Sequence, residues 1–386
     1  MMTLSAVRLT LAAAGCVPAP LMGQAILDEV RAFTVEQVLP LRTIEPLGLV
    51  AAGKADGKGG LIILEATLPG LRFLDSLGHQ YRTVGRSGDG PGEYRFPAGL
   101  GRQHDTLRIL DGHRVSEVQT SGRHLRTIDV SLVLSHARRA YPGTTPEVLG
   151  VAADGGLVLS VRPQIEASAA PHRFPVLHWP LEAPVADTIG MRTLVRFGLE
   201  YAAAGRVFRM QQPLAANDFI ALDPAGQTFV LVGPVGAPEQ GIVRVSWRTL
   251  ATGRASQYEY RADPQAITAA EWRVVLRRLI EGFVADPRNR DLGASAFDGL
   301  ESVVFRPPYF PPISRIAAAT DGTVWLRRAE TAAASVDWIA VQGDGRIRGR
   351  LLLPRTARLL DSVDSIAWVL DYDEDGAPHL ARLVIH

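Results

Sequence analysis

The chain has 386 residues, 47% hydrophobic and 21% charged, with 37 glycines and 26 prolines, enough apolar side chain to bury a large core and an abundance of turn formers. Its formal charge of +1, from 41 Lys and Arg against 40 Asp and Glu, argues against nucleic acid or an acidic membrane surface as main partner. No apolar stretch reaches the roughly 18 residues that a membrane-spanning helix needs. Lys54 and Lys58 are the only lysines, so nearly all the positive charge is guanidinium.

Residues Met1 to Ala25 read as a secretion signal: Arg8 in a short leading region, an apolar run from Leu9 to Val17, then Pro18, Pro20 and small residues up to Ala25. The remaining chain is then extracytoplasmic, either secreted, periplasmic or lipid-anchored. Ala13-Ala14-Gly15-Cys16 resembles a bacterial lipobox, with Ala13 where Leu is usual, which makes Cys16 a candidate for lipidation. Ordinary cleavage after Gly23 or Ala25 is the competing expectation. Cys16 is the only cysteine, so the folded body has no disulfide and no thiolate chemistry.

Beyond the signal, Phe33 to Leu41 is strand-like, and then a unit begins to recur. A short turn centred on Asp or Gly precedes an apolar run at Asp56, Asp105, Asp154, Asp223, Asp321 and Asp364, at a blade-sized period broken by two long insertions. Second turns fall at Ser76 to Gly78, Thr120 to Gly122, near Glu182 to Pro184, at Thr249 to Gly253 and at Gly343 to Gly345. Two hairpin turns per unit imply four antiparallel strands, one blade of a β-propeller, and six units predict an all-β, six-bladed ring. The last unit ends after its third strand, so lending Phe33 to Leu41 to it would close the ring and hide both edges.

Between the first two units lies Val84 to Pro97, VGRSGDGPGEYRFP. Gly88, Gly90 and Gly92 are expected to supply backbone angles with φ > 0 that Gly reaches without a Cβ clash, while Pro91 and Pro97 fix φ. A phosphate-cradling glycine loop would lead into a helix, whereas the residues after Pro97 are strand-like. The pattern G-x-x-G-x-G-P-G-E-[FY]-x-x-P resembles the linker of NHL-repeat and related six-bladed propellers, found in many secreted or lipid-anchored bacterial proteins. Asp111-Gly112-His113-Arg114-Val115 is a partial match to the segment of that family in which an Asp precedes Asn-x-Arg-[Ile/Val]. The resemblance implies a structural role for Glu93, Asp111 and Arg114, the last two tying neighbouring blades by charge-assisted hydrogen bonds.

The parity of an up-and-down blade puts the Asp-centred turns on one face of the ring and the long links between blades on the other. Five links are expected there: Val84 to Pro97, Asp129 to Glu147, Asp187 to Asn217, Arg261 to Ile313 and Pro354 to Asp364. Function is to be sought on that face, since binding residues concentrate in loops on a rigid scaffold. The largest link carries a helical insertion of about 262 to 300 between blades 4 and 5, opened by the capping box Thr268-Ala269-Ala270-Glu271 and continued by Trp272, Val275, Leu276, Leu279, Ile280 and Phe283 at helical spacing. This apolar stripe is expected to pack as a lid or brace, the competing readings being a partner-binding helix or an exposed patch of an envelope scaffold. Phe305 to Pro312, rich in aromatic residues and proline, then leads into blade 5.

Chemistry-bearing motifs are few. Asp371, Asp373 and Asp375 begin like a calcium loop, but Arg382 stands where the bidentate Glu belongs, so a hairpin turn is the plainer reading. His172 and His178 lack ligand partners at metal spacing, and no G-x-S-x-G elbow is present. The sequence thus predicts a binding module for a protein, peptide or glycan at the channel mouth, with Arg209, Asn217, Arg306 and Tyr309 as ligand contacts, no cofactor, and a membrane only through a lipid. The resemblance extends to calcium-dependent lactonases built on six-bladed propellers; that alternative enzyme needs carboxylates and Asn side chains converging on the axis, where the chain offers only Asn217 and Asn289.

Overall fold

The structure is a computed structural model and describes residues 25–40, 46–163, 171–183, 185–195, 199–289, 291–329, 334–373 and 375–386; the segment expected to be a secretion signal, with Cys16, lies outside them except for Ala25. Six four-stranded antiparallel blades form a ring. Blade 1 comprises Val50–Ala55, Leu61–Glu65, Gly70–Leu74 and Gln80–Val84, and blade 2 Pro97–Gln103, Thr106–Asp111, Arg114–Gln119 and His124–Asp129. Blade 3 is built from Thr144–Val151, Leu157–Pro163, His172–Trp179 and Asp187–Leu194, and blade 4 from Phe219–Leu222, Thr228–Val235, Ile242–Thr249 and Ala255–Arg261. Blade 5 is Ile313–Ala318, Val324–Arg328, Ser335–Val341 and Ile347–Pro354; blade 6 is Arg358–Val363, Ile366–Tyr372, Pro378–Ile385 and, from the other end of the chain, Val35–Pro40. Each inner strand lies beside the next, and Arg358–Val363 returns to Val50–Ala55.

Blade-on-blade packing explains why the apolar runs do not alternate. In blade 1, Leu61–Glu65 and Gly70–Leu74 are buried along their whole length, because both of their faces meet a neighbouring blade, whereas the outer strand Gln80–Val84 alternates. The seam between blades 5 and 6 is filled by Trp325, Trp338, Val369 and Leu383. At the inner ends of the sheets, Asp361 of blade 6 is 1% exposed and joins three blades. Its carboxylate accepts the Ala55 N–H of blade 1 (2.8 Å), the Thr320 N–H (2.8 Å) and hydroxyl (2.6 Å) of blade 5, and its own neighbour Ser362 N–H (2.9 Å).

The ring is closed by a strap running along its rim. Ala25–Ile26 pairs in parallel with the outer strand of blade 4, against Tyr260 and Arg261. Leu27, 1% exposed, then inserts between blades 4 and 5 among Val243, Tyr260 and Leu326. Asp28 accepts the Asp263 N–H (2.6 Å) and pairs with the buried Arg328 guanidinium (2.9 Å). Phe33 hydrogen-bonds the outer strand of blade 5 at Arg350 (2.8 Å) and packs on Trp325 and Gly349. Val35–Pro40 finally pairs antiparallel with Ala381 to Ile385. The expected loan of Phe33 to Leu41 to the last blade is thus made, Leu41 itself lying outside the described residues, and the residues from Ala25 to Phe33 also fasten blades 4 and 5.

Several link boundaries differ from the sequence-based expectation. Asp187–Leu194 is the outer strand of blade 3, so the link to blade 4 starts later and folds into a separate hairpin, Leu199–Ala203 with Arg206–Met210. Arg358–Val363 is the inner strand of blade 6, leaving a short link after Pro354. The link after blade 2 carries an unexpected helix, α1 (Ser131–Ala140), whose Val133 and Ala137 bury one turn apart against blade 3 while Asp129 accepts the Ser131 N–H (2.8 Å). The expected insertion lies between blades 4 and 5 as helix α2 (Ala269–Ala285), with Thr268 and Glu271 capping reciprocally: Glu271 N–H to Thr268 Oγ1 at 3.2 Å, Thr268 N–H to Glu271 Oε2 at 2.9 Å.

Candidate functional site

The two faces of the ring differ at the axis. On the short-turn face the blade 4 turn crosses to other blades, its Pro224 carbonyl accepting the Arg102 N–H of blade 2 (2.6 Å) and its Gly226 carbonyl the Ala153 N–H of blade 3 (2.8 Å). Access to the channel is therefore better from the long-link face. There α2 does not lie on a blade. Its apolar stripe meets the hairpin 199–210 and the turns after the helix, forming a small core of Phe208, Met210, Trp272, Leu276, Phe297 and Leu300. The stripe is covered, which removes the exposed-patch reading of an envelope scaffold and makes α2 a brace.

This braced unit and the inner strands of blades 4 and 5 enclose a cleft of about 400 Å³. Among its described lining residues are four arginines and one acid. Arg278 comes from α2, Arg315 from the inner strand of blade 5, Arg327 from its second strand, and Arg355 from the link to blade 6. Each also takes part in interactions within the chain. Arg327 is buried and held by the Ser314 hydroxyl (3.3 Å) and the Arg355 carbonyl (2.7 Å). The acid, Glu271, already accepts from Thr268 as the helix cap. Guanidinium groups from four separate elements suit a planar oxyanion such as a carboxylate or phosphate.

Beside it lies a second cleft of about 390 Å³. Gln212, Leu214, Ala215, Phe310 and Pro311 line both. Gln212, 4% exposed, fixes this shared wall: its side chain donates to the Phe305 carbonyl (2.5 Å) and accepts the Phe305 N–H (2.9 Å). The run Phe305 to Pro312 is clipped in turn to the residues before α2, through Ile267 N–H to the Pro308 carbonyl and Phe310 N–H to the Gln265 carbonyl. The second cleft is consequently rich in proline and aromatic carbon. Asp218 also lines it, its carboxylate accepting the Thr193 N–H (2.6 Å), and burial pushes that carboxyl above its ordinary range.

The predicted ligand contacts separate. Asn217 lines the arginine cleft, although its side-chain oxygen accepts the Val195 N–H (2.6 Å). Tyr309 lines the second cleft. Arg306 is exposed and lines neither. Arg209 stands on the outside of the hairpin, paired with Glu200 (2.9 Å). Arg278, Arg315, Arg327 and Arg355 escaped notice because no motif joins positions so far apart in the chain.

The linker residues lie on the same face, away from the clefts. Asp111 is buried and accepts the Phe96 N–H (2.5 Å), the Arg95 N–H and the Arg114 guanidinium (2.7 Å), while Arg114 also donates to the Asp89 carbonyl (2.9 Å). Together they fasten the link between blades 1 and 2 to the second hairpin of blade 2. Glu93 accepts the Gly90 N–H (2.8 Å) and the Arg86 guanidinium (2.7 Å), which hold its carboxyl below the ordinary range. Positive φ occurs at Gly85 and Gly88 as well as Gly92, and not at Gly90. At Gly90 a Cβ would come 3.1 Å from the Glu93 carboxylate, which would have to shift by a few tenths of an ångström.

The calcium readings fit poorly. Asp373 accepts the Asp375 N–H (3.0 Å) and Ala377 N–H (2.7 Å) and meets His379, while Asp371 accepts the Thr356 hydroxyl, an arrangement that shapes a hairpin turn between the second and third strands of blade 6. Near Asn217 the described lining is cationic, and Asn289 instead donates to the Phe283 carbonyl at the end of α2. Among the described residues no group of three or more His, Cys, Asp or Glu is placed to hold a metal ion. Thermal unfolding in saturating calcium and after chelation is expected to give the same midpoint, within about 1 °C. A rise abolished by Asn217→Ala would restore the axial-metal reading.

No family model matches the chain, and no curated protein matches it. Among solved structures it is similar to a protein of Bacteroides fragilis described as exported, at 11% identity over 93% of this chain and 97% of that one, with a TM-score of 0.43. It is also similar to the calcium-binding protein regucalcin of Agrobacterium tumefaciens (12% identity, 94% and 96%, TM-score 0.36) and to a protein of unknown function from Bacteroides thetaiotaomicron (9%, 94% and 74%, TM-score 0.37). Likeness at this level carries no argument about ligand or activity. The chain's own strand pairing shows what it is: an all-β, six-bladed propeller of four-stranded antiparallel blades.

Proposed function

We propose that the protein is an extracytoplasmic binding module that captures an anionic group of its ligand at the channel mouth on the long-link face. The observation that carries this reading is the cleft in which α2 and blade 5 gather Arg278, Arg315, Arg327 and Arg355, each also engaged within the chain, with Glu271 of the helix cap the one acid among the described lining residues. The extracytoplasmic setting rests on the signal-like segment Met1 to Ala25; among the described residues no helix is long and apolar enough to cross a membrane.

Calorimetric titration with succinate and with inorganic phosphate tests the reading. Saturable binding of at least one anion is expected, weakening with added salt and falling about tenfold or more in the Arg278→Gln, Arg315→Gln double variant. Both side chains are exposed, so the variant should fold. Absence of saturable heat from either anion, or binding equal in variant and parent, would remove the proposal.

A further inference from the structure

A third cleft, of about 640 Å³, opens on the short-turn face between the turns of blades 4 and 5. It runs outward from Asp223 and Asp321, in the inner turns of the two blades, to Arg254 and Asp344, in their outer turns. Its volume falls within the roughly 300–1,000 Å³ of small-molecule sites. One wall is the face that blade 4 turns toward blade 5. Side chains of paired residues line up across a sheet, so Val230, Trp247 and Ser256 form one row, with Thr228 and Thr249 the next. Tyr258, two residues beyond Ser256, falls on the same face and meets Trp247 edge-on, the ring centroids 5.8 Å apart. Gly345 lets the blade 5 turn approach this ring, since a Cβ there would overlap it.

Several polar groups of this cleft are not consumed by the fold. Among the described residues, no hydrogen bond engages the half-buried side chains of Thr249, Tyr258 or Gln342. Asp223 accepts the Gln227 N–H through Oδ1 (2.7 Å) and stands in no ion pair with a described residue. The other acids are neutralised where they stand, Asp344 by Arg346 (2.6 Å) and Asp321 by Arg348 (3.2 Å). Asp223 and Arg254 remain, one of each sign at opposite ends, and the cleft as a whole favours neither charge. Hydroxyl, amide and carboxylate groups beside an aromatic ring suit an uncharged ligand that is rich in hydroxyls and also presents C–H faces. We infer that this cleft is a second binding site, independent of the arginine cleft on the opposite face, and that it takes a short neutral saccharide. Sugar hydroxyls exchange hydrogen bonds with Thr249, Gln342 and the Tyr258 hydroxyl and donate to Asp223, while ring C–H groups lie against the Tyr258 ring that Trp247 supports.

Saturation-transfer NMR of the intact protein with maltose, cellobiose, lactose and N,N′-diacetylchitobiose tests this. At least one is expected to bind saturably, with a Kd of about 0.1–10 mM. Thr249→Val, Tyr258→Phe and Gln342→Ala should each weaken it severalfold, and the triple variant about tenfold or more. Each change removes a polar group that holds nothing else in place, so the unfolding midpoint should stay with that of the parent. The Arg278→Gln, Arg315→Gln variant should bind the saccharide as the parent does, and succinate should not compete for it. No saturation by any of the four up to about 50 mM, or equal binding by parent and triple variant, overturns the inference. Competition by succinate would place the saccharide on the other face and overturn it equally.

Discussion

Replacing Asp361 with Ala is expected to destabilise the ring by about 3–5 kcal/mol, because three backbone N–H groups and a hydroxyl lose one shared buried acceptor and each unsatisfied buried donor costs about 1–3 kcal/mol. In a propeller of this size that corresponds to a fall of about 5 °C in the unfolding midpoint. The effect exceeds that of an ordinary turn aspartate, since Ala55, Thr320 and Ser362 belong to blades 1, 5 and 6 and the carboxylate holds the point where the ring meets itself. Asp361→Asn should recover part of the loss, one oxygen remaining to accept while the amide faces other donors. A midpoint shift below about 1 °C for Asp361→Ala would show that the three blades are held by packing alone.

Deleting residues 25–40 should have the largest effect. It exposes the edge of Pro378–Ile385, opens the site of Leu27 between blades 4 and 5, and leaves the buried Arg328 without Asp28. An unpaired strand edge is a template for association, so the shortened protein should lose its cooperative melt and self-associate in size-exclusion chromatography. A synthetic peptide of residues 25–40, added in trans, should restore a monomer by supplying the missing strand. Leu27→Ala alone should cost about 2–5 kcal/mol, the range for truncating a buried leucine. A deletion variant that melts like the parent would show the strap to be dispensable.

The parts of the fold that could be read in advance are those in which local chemistry and tertiary role coincide. Leu61 to Leu64 is apolar throughout because blades press on both sides of it, and Thr268 with Glu271 marks a helix start whether or not anything packs on it. Val84 to Pro97 was legible since its glycines answer backbone requirements within the link itself. Elements that depend on distant partners were not. The hairpin Leu199 to Met210 alternates, as in Leu199-Glu200-Tyr201 and Phe208-Arg209-Met210, but nothing local shows that it buries against α2 rather than joining a blade. The α1 stripe was hidden by its brevity, with only Val133 and Ala137 fully buried. Arg209 and Arg306 carry the right charge for the mouth, whereas the arginines that reach the cleft are placed by a helix, two strands and a link of other segments.

The strap has a consequence for the order in which the molecule can be assembled. Residues 25–40 are made well before their partners at Pro378 to Ile385, so the decisive pairing joins segments remote in sequence. Folding is slow when closure waits on contacts so remote in sequence. Through that interval five blades can form as an open arc with two sticky ends, and a chain released or stalled before residue 378 has no way to become a ring. Formation of the finished ring should therefore be limited by time spent unclosed, and a chaperone that shields the early strap would speed closure without adding any stability to the folded protein.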